Sequence, residues 1–426
     1  MKQLSVLALA LISAGLASPA TAFRASAVEV DITPDSPQWL MGYAARQSTG
    51  VHDKIFHRIV AMDDGNTQFY LVASDLCLFS PGVYRDVAET LKKELGIEPR
   101  NFWWSVTHSH AAPEVGPPGV YKTLLGRSDH EWNRDYAQRV TSALVEGIRD
   151  AKSKLQPASV GFGTGMAMAN INRRAKDVDG RVSLGLNPDG PADRQIGLIR
   201  LQRPDGTPIA VIANYAMHGT AMSGANLAVS GDAPGTVSAY VEGKIGAPVL
   251  YVNGAAGNMA PIYSVYPDPR SAHLSQFNVL LGDHILATLN AMGAPSSDVS
   301  ILTDEKIIES RRRDGLEWPA ELSEYSRGQA DGTALVRLPV RFLKINQTLI
   351  WSAPVELFCE MAIAIRNQSP FEHTFYFGYT NGWIGYLPTS KAFDEGGYEP
   401  KTSVFTPSAE RDLLNGVTTY IQGSPK

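Results

Sequence analysis

The chain has 426 residues, 44% hydrophobic and 19% charged, which is enough apolar material for a sizeable core. Its formal net charge of −5 leaves no basic surplus to neutralise phosphates, so a nucleic-acid partner is not expected. Two cysteines, Cys77 and Cys359, make no disulfide framework; both lie in apolar runs, SDLCLF and ELFCEMA, and read as buried free thiols.

Residues 1–22, MKQLSVLALALISAGLASPATA, carry one lysine, an apolar run and a small-residue end at Ala20-Thr21-Ala22. This is the layout of a secretory leader cleaved near Ala22, and its apolar run is too short and Gly/Ser-broken for a stable span. The mature protein is therefore expected to be secreted or periplasmic. QFYLVASDLCLF then reads as a buried strand, GVYRDVAETLKKELG as an amphipathic helix ending at Gly96, and NFWWSVTH as the next strand. NRDYAQRVTSALVEGIRDAKSKL is a long helix, followed by the strands ASVGFGTG, QIGLIRLQ and PIAVIANYAMHG. GTVSAYVEGKIG is a helix, APVLYVNGAAGN a strand with a Gly-rich turn, and QFNVLLGDHILATLNAM a further helix. VSILTDEKIIESR and ALVRLPVRFLKINQTLIWSA close the pattern as β-rich pieces. The alternation predicts an α/β fold of mixed β-sheets flanked by helices, as one catalytic domain over 23–426 with an insertion or lid near 305–335.

Four polar, turn-like segments follow directly on apolar strands: THSHAAP, AMHGTAMSG, NGAAGNMAP and SAPVELF. In α/β sheets sites gather where strands end, so these four are candidates for the rim of one site. His108 and His110 close the strand NFWWSVTH two residues apart. Residues i and i+2 of a strand face the same side, which lets both imidazoles enter one cavity. Such a pair holds a metal, does acid–base work, or is a hydrogen-bonded surface pair, and spacing alone does not choose. His218 ends IAVIANYAMHG and is a third imidazole for the rim, or a loop histidine bonded to a carbonyl.

Pro354 reads as the start of a helix that places Glu356 in its first turn, near a strand end, where the helix dipole also suits an anion. Glu360, one turn on, competes for any role. Histidines and a carboxylate at strand ends suit zinc with an open position for water, whose pKa then falls to about 7 so that it attacks a carbonyl. HExxH, GxSxG and Walker A patterns are all absent from the sequence.

Seven segments, in this order, resemble the neutral, non-lysosomal ceramidase family of zinc amidases: MGYAARQSTGVHDKIFHRIVAM, SVTHSHAAP, NINRR, YAMHGTAMSGANLAVSGDAPG, VNGAAGNMAPIY, APVELFCEMA and NGWIGYLPTSKAFDEGGYE. The resemblance implies one zinc ion (Zn2+) per chain on His108, His218, Glu356 and Tyr386, with His110 a catalytic neighbour of the metal. It implies Arg173 and Tyr398 as donors to the substrate's polar head and the developing oxyanion, with the adjacent Arg174 as the alternative to Arg173. Without it, the two tyrosines would be packing aromatics and Arg173 a surface charge. The implied activity is a linear-amide hydrolase that cleaves ceramide to a fatty acid and a sphingoid base. Its partner would be ceramide or a related N-acyl lipid, met by transient contact with a membrane surface.

The chain departs from the family pattern in two places. Ala260 stands where the family has a serine, and Asn258 where it has an aspartate. The chain also stops soon after Tyr398, leaving no room for the family's C-terminal immunoglobulin-like domain. Two rivals follow: the same chemistry on a different N-acyl amine or lipid, and an exported binding protein that has lost turnover.

Overall fold

The structure is a computed structural model and describes residues 23–127, 130–262 and 273–424; the leader expected at 1–22 lies outside them. Three large sheets carry the fold. The first runs Phe102–Val106, Gln68–Ser74, Phe56–Asp63, Arg24–Asp31, with Gln156–Pro157 at its edge. The second runs Val249–Asn253, Pro208–Tyr215, Gln195–Gln202, Ser159–Met166. The third runs Ile301–Arg311, Ala334–Ile345, Thr348–Ser352, His373–Phe377.

Neighbouring strands are antiparallel except for one parallel pair at the edge of each sheet. Each parallel pair is joined by a crossover helix, as parallel strands require: Pro81–Leu95, Asp232–Ile245 and Cys359–Gln368. The expected α/β class with mixed sheets and flanking helices is the one observed.

Side-chain alternation explains how the sheets pack. Phe69, Leu71 and Ala73 enter a core shared by all three sheets, while Tyr70 and Val72 face the helices outside. The shared core also takes Ile212 and Leu250 from the second sheet and Leu343 and Ile350 from the third. Both faces of these strands are covered, which is why they read as near-continuous apolar runs. The helix Pro81–Leu95 ends as its sequence signals: Ser80 accepts from Gly82 N, and Gly96 stops it at φ +67°. Among the described residues no helix is long and apolar enough to cross a membrane.

The stretch 305–335, expected to be irregular, is partly sheet. Strand Ile301–Arg311 pairs along its whole length with Ala334–Ile345, and Ser326–Gly328 pairs with the start of the same partner. The β-rich reading of VSILTDEKIIESR is the one observed, and its charged residues alternate along a strand with one face in solvent. Cys77 and Cys359 are both buried and free.

His57 pins the first sheet to the helix Arg134–Ser153. It is buried, with Nδ1 at 2.6 Å from Ser74 Oγ and Nε2 at 3.1 Å from the Val140 carbonyl. Burial lowers its pKa to about 4, against a smaller opposing pull from that carbonyl. The unfolded chain, with an ordinary histidine near 6.5, then binds the proton first. Stability is therefore expected to fall as pH drops from about 6.5 to 4, by up to about 3 kcal/mol from this residue. Urea unfolding at a series of pH values checks it, and His57→Gln should flatten that part of the profile.

Candidate metal centre

The site lies just past the carboxyl ends of the parallel strands, where α/β sheets place their ligands. His108 follows Phe102–Val106, His218 follows Pro208–Tyr215, Glu356 follows Thr348–Ser352, and Tyr379 follows His373–Phe377. The three sheets are tied together at these ends. Ser109 bridges to Gly219 and Ser105 to Thr380. Asn253 Nδ2 donates to the Met217 carbonyl at 2.7 Å and to that of Thr107 at 3.2 Å, and Gly378 N donates to the Asn253 carbonyl at 2.8 Å.

His108 and His110 do converge, but not by strand alternation. The strand ends at Val106, and His108 itself takes φ +64°, a left-handed conformation that costs a non-glycine residue about 1–2 kcal/mol. The reversal brings the two Nε2 atoms to 3.1 Å. Gly42 closes over His110 so tightly that a Cβ there would lie 2.5 Å from the ring. His110 Nδ1 is buried without a partner, and burial, with His108 and His218 alongside, holds this imidazole well below its ordinary pKa.

Glu356 is not in a helix. Glu356–Leu357 is a two-residue strand parallel to Tyr386–Leu387, with Glu356 in register with Tyr386, and the helix begins only at Cys359. The short ladder sets the two side chains next to each other, so pairing rather than a helix dipole puts the carboxylate at the site. Glu360 falls in the helix's first turn and accepts from Asn258 Nδ2 at 2.8 Å, outside the histidine cluster.

His108, His218 and Glu356 bring one ligand atom each within 4.8 Å of one another, all three residues buried. His108 Nδ1 lies 3.0 Å from the Cys77 carbonyl and His218 Nδ1 3.0 Å from that of Met259. Each Nδ1–H therefore donates outward, and each Nε2 lone pair faces Glu356 Oε2, at 3.4 and 3.1 Å. Burial, then Arg173 and His108, hold His218 down to about pKa 3, so it stays a neutral acceptor. Acceptors converging from buried side chains, with tautomers pinned from behind, are a donor set that suits a divalent cation.

Tyr386 Oη is 3.5 Å from His218 Nε2 and accepts from Arg173 Nη2 at 3.0 Å. Arg173 also reaches His218 Nε2 at 2.9 Å through Nη1. Arg174 points away, to Glu399, Glu395 and the Gly396 carbonyl. A cavity of about 690 Å3 opens over the cluster, with His110, Arg173, Ala260, Tyr386 and Tyr398 in its wall. The Tyr398 ring meets Tyr386 edge-on at 5.7 Å.

Three residues of the site carry no signal in sequence spacing. Tyr379 stacks on His108 at 4.2 Å and donates to Glu356 Oε2 at 3.3 Å. Trp383 Nε1 donates to Glu356 Oε1 at 2.9 Å. Glu399 binds Arg173 at 2.9 Å and Arg174 at 2.7 Å. The polar turn after the apolar HTFYF was the one available hint, since it repeats the strand-then-turn pattern of the other segments. Trp383→Phe should weaken metal binding about 10–100-fold, as loss of a partner behind a ligand does; competition with a chromogenic chelator measures it.

A family model described as neutral/alkaline non-lysosomal ceramidase, N-terminal, matches residues 23–255. The matched region holds His108, His110, Arg173 and His218, while Glu356, Tyr386 and Tyr398 lie beyond it. The chain is 28% identical over 234 residues to neutral ceramidase B of Dictyostelium discoideum, covering 51% of this chain and 31% of that protein. It is 25% identical over 286 residues to the neutral ceramidase of Pseudomonas aeruginosa, covering 62% of this chain and 41% of that protein. The matched part is thus less than half the length of these relatives. A crystal structure of the Pseudomonas aeruginosa neutral ceramidase superposes with a TM-score of 0.76 at 18% identity, covering 95% of this chain and 75% of that one, which shows the shared fold.

Proposed function

The chain belongs to the neutral/alkaline non-lysosomal ceramidase family, and from that premise we propose that it hydrolyses the N-acyl bond of ceramide-like sphingolipids with one zinc ion on His108, His218, Glu356 and Tyr386. The observation that carries the reading is the buried convergence of His108, His218 and Glu356, with both imidazoles pinned so that their Nε2 atoms face the carboxylate. When bound, the ion polarises the acyl carbonyl and lowers the pKa of water.

The chain's own groups do the rest. His110, neutral and beside the cluster, takes the proton of the attacking water at Nε2 and passes it to the departing amine. Arg173 and Tyr398 line the cavity as donors to the developing oxyanion. Glu399 keeps Arg173 charged and aimed. The products are a fatty acid and a sphingoid base. Export by the leader at 1–22 and brief contact with a membrane surface, where such lipids reside, belong to the same reading.

Ala260 in the cavity wall favours a second substrate, an N-acyl amine or lipid other than ceramide, because a serine hydroxyl is missing there. Incubating the purified protein with ceramide and a panel of N-acyl amines separates the two. Slow ceramide turnover beside rapid cleavage of another amide would sink the ceramide assignment. Hydrolysis of nothing, with no stoichiometric metal, would leave only a binding protein.

A further inference from the structure

His110 is held differently from the two histidines beside it. His108 and His218 are each pinned through Nδ1 to a main-chain carbonyl. His110 Nδ1 is buried with no hydrogen-bond partner among the described residues, so no acceptor behind the ring fixes its orientation. What bears on the ring is the turn between the short paired strands Trp39–Leu40 and Arg46–Gln47. Gly42 in that turn, at φ +103°, lies so close that a Cβ would fall 2.5 Å from both Cγ and Nδ1 of His110. Glycine alone suits both the conformation and the space. The Tyr43 ring meets the imidazole edge-on at 4.8 Å.

Arg127 holds the turn. Its Nη2 donates to the Leu40 carbonyl and its Nη1 to the Tyr43 carbonyl, both at 3.0 Å, so one planar guanidinium spans the two sides of Gly42. Glu114, 2.7 Å from Nη2, supplies the counter-charge, and both side chains are largely buried. Arg46, at the far end of the turn, donates to the His110 carbonyl and so fixes that residue's main chain. The ring itself is left to the packing of Gly42 and Tyr43.

Resting on the acid–base role given to His110 above, we propose that Arg127 is a positioning residue for the hydrolysis. By gripping the Gly42–Tyr43 turn it keeps the imidazole aimed at the cluster, where Nε2 lies 3.1 Å from His108 Nε2. Arg127 borders the catalytic cavity, but its Nη atoms face protein oxygens and its Nε is buried. It therefore acts on the substrate through the turn and not by contact.

Arg127→Gln should lower kcat by about 10–100-fold, the scale of a reacting group misplaced by about 1 Å, with KM within about twofold and metal content unchanged. The sharpest comparison is a double-mutant cycle with His110→Ala, since a residue that works through His110 has nothing left to act on there. In that background Arg127→Gln should change kcat by less than about twofold. A crystal structure of Arg127→Gln gives a readout free of turnover: the His110 ring displaced, with His108, His218 and Glu356 in place. Arg127→Lys keeps the charge beside Glu114 but cannot span both carbonyls, and it serves in the same comparisons if Arg127→Gln does not fold. An equal fold-loss of kcat in both backgrounds, a rise in KM alone, or an unmoved His110 ring overturns the proposal even in an active hydrolase. A wild type that cleaves no N-acyl amine overturns the hydrolase reading instead, and a His110→Ala variant with the full wild-type rate overturns the acid–base role of His110. In either case, or where the His110→Ala rate falls below detection, the ring position decides by itself whether Arg127 holds His110.

Discussion

His108→Ala is expected to lose the metal and turnover together, whereas His110→Ala keeps the metal and loses rate. The two side chains differ in how they are held. His108 donates from Nδ1 to the Cys77 carbonyl, stacks on Tyr379 and turns Nε2 to Glu356, so removing it deletes one of the converging donors. His110 has no partner at its buried Nδ1 and does not belong to the His108–His218–Glu356 group. Its loss should cost about 10²–10⁴-fold in kcat, the range for a positioned acid–base group, with metal content unchanged. Elemental analysis of the purified variants beside kcat decides the matter. Equal loss of metal in both variants would merge the two roles into one.

The second large effect is expected at Glu399. Its carboxylate is buried and accepts from Arg173 on one oxygen and from Arg174 on the other. Glu399→Gln keeps the shape and leaves two buried guanidinium groups without their shared counter-charge. Stripping one partner from a buried pair costs about 3–5 kcal/mol, and that loss should be visible in urea unfolding. Arg173 also loses the contact that aims it at Tyr386 and His218, so kcat should fall about 10–10³-fold, the scale of a lost oxyanion donor. Arg174→Gln provides the contrast, because that side chain points away from the cavity. It should lose stability with a smaller loss of rate. Equal losses of rate in the two variants would mean that Glu399 acts on the fold alone.

The apolar runs and their turn-like ends were legible in the sequence because both depend on local rules. A strand covered on both faces must be apolar throughout, and a polar histidine or glycine-rich turn at its end stands out against it. That reasoning placed THSHAAP and AMHGTAMSG at one rim, and both lie there. It failed where the outcome depended on partners far along the chain. Pro354 suggested a helix at Glu356, but the backbone there is claimed by Tyr386, thirty residues later, in a two-residue ladder. The alternation argument for His108 and His110 failed for the same reason. The bridge from Ser109 to Gly219, more than a hundred residues away, takes the chain out of the strand and into a left-handed turn.

By itself the sequence determined the class of fold, the family and the set of candidate residues, since these rest on periodicity, composition and ordered local segments. Tertiary structure alone decided which atoms face one another. Arg173 enters the cavity and its neighbour Arg174 does not, because an irregularity in the ladder between Asn172 and Arg174 and the carboxylate of Glu399 orient them differently. Tyr379, Trp383 and Glu399 support the site through contacts 23 to 271 residues apart in the chain, among them those to Glu356, His108 and Arg173. Contacts of that separation leave no period in a sequence, and only the meeting of three sheet ends brings them about.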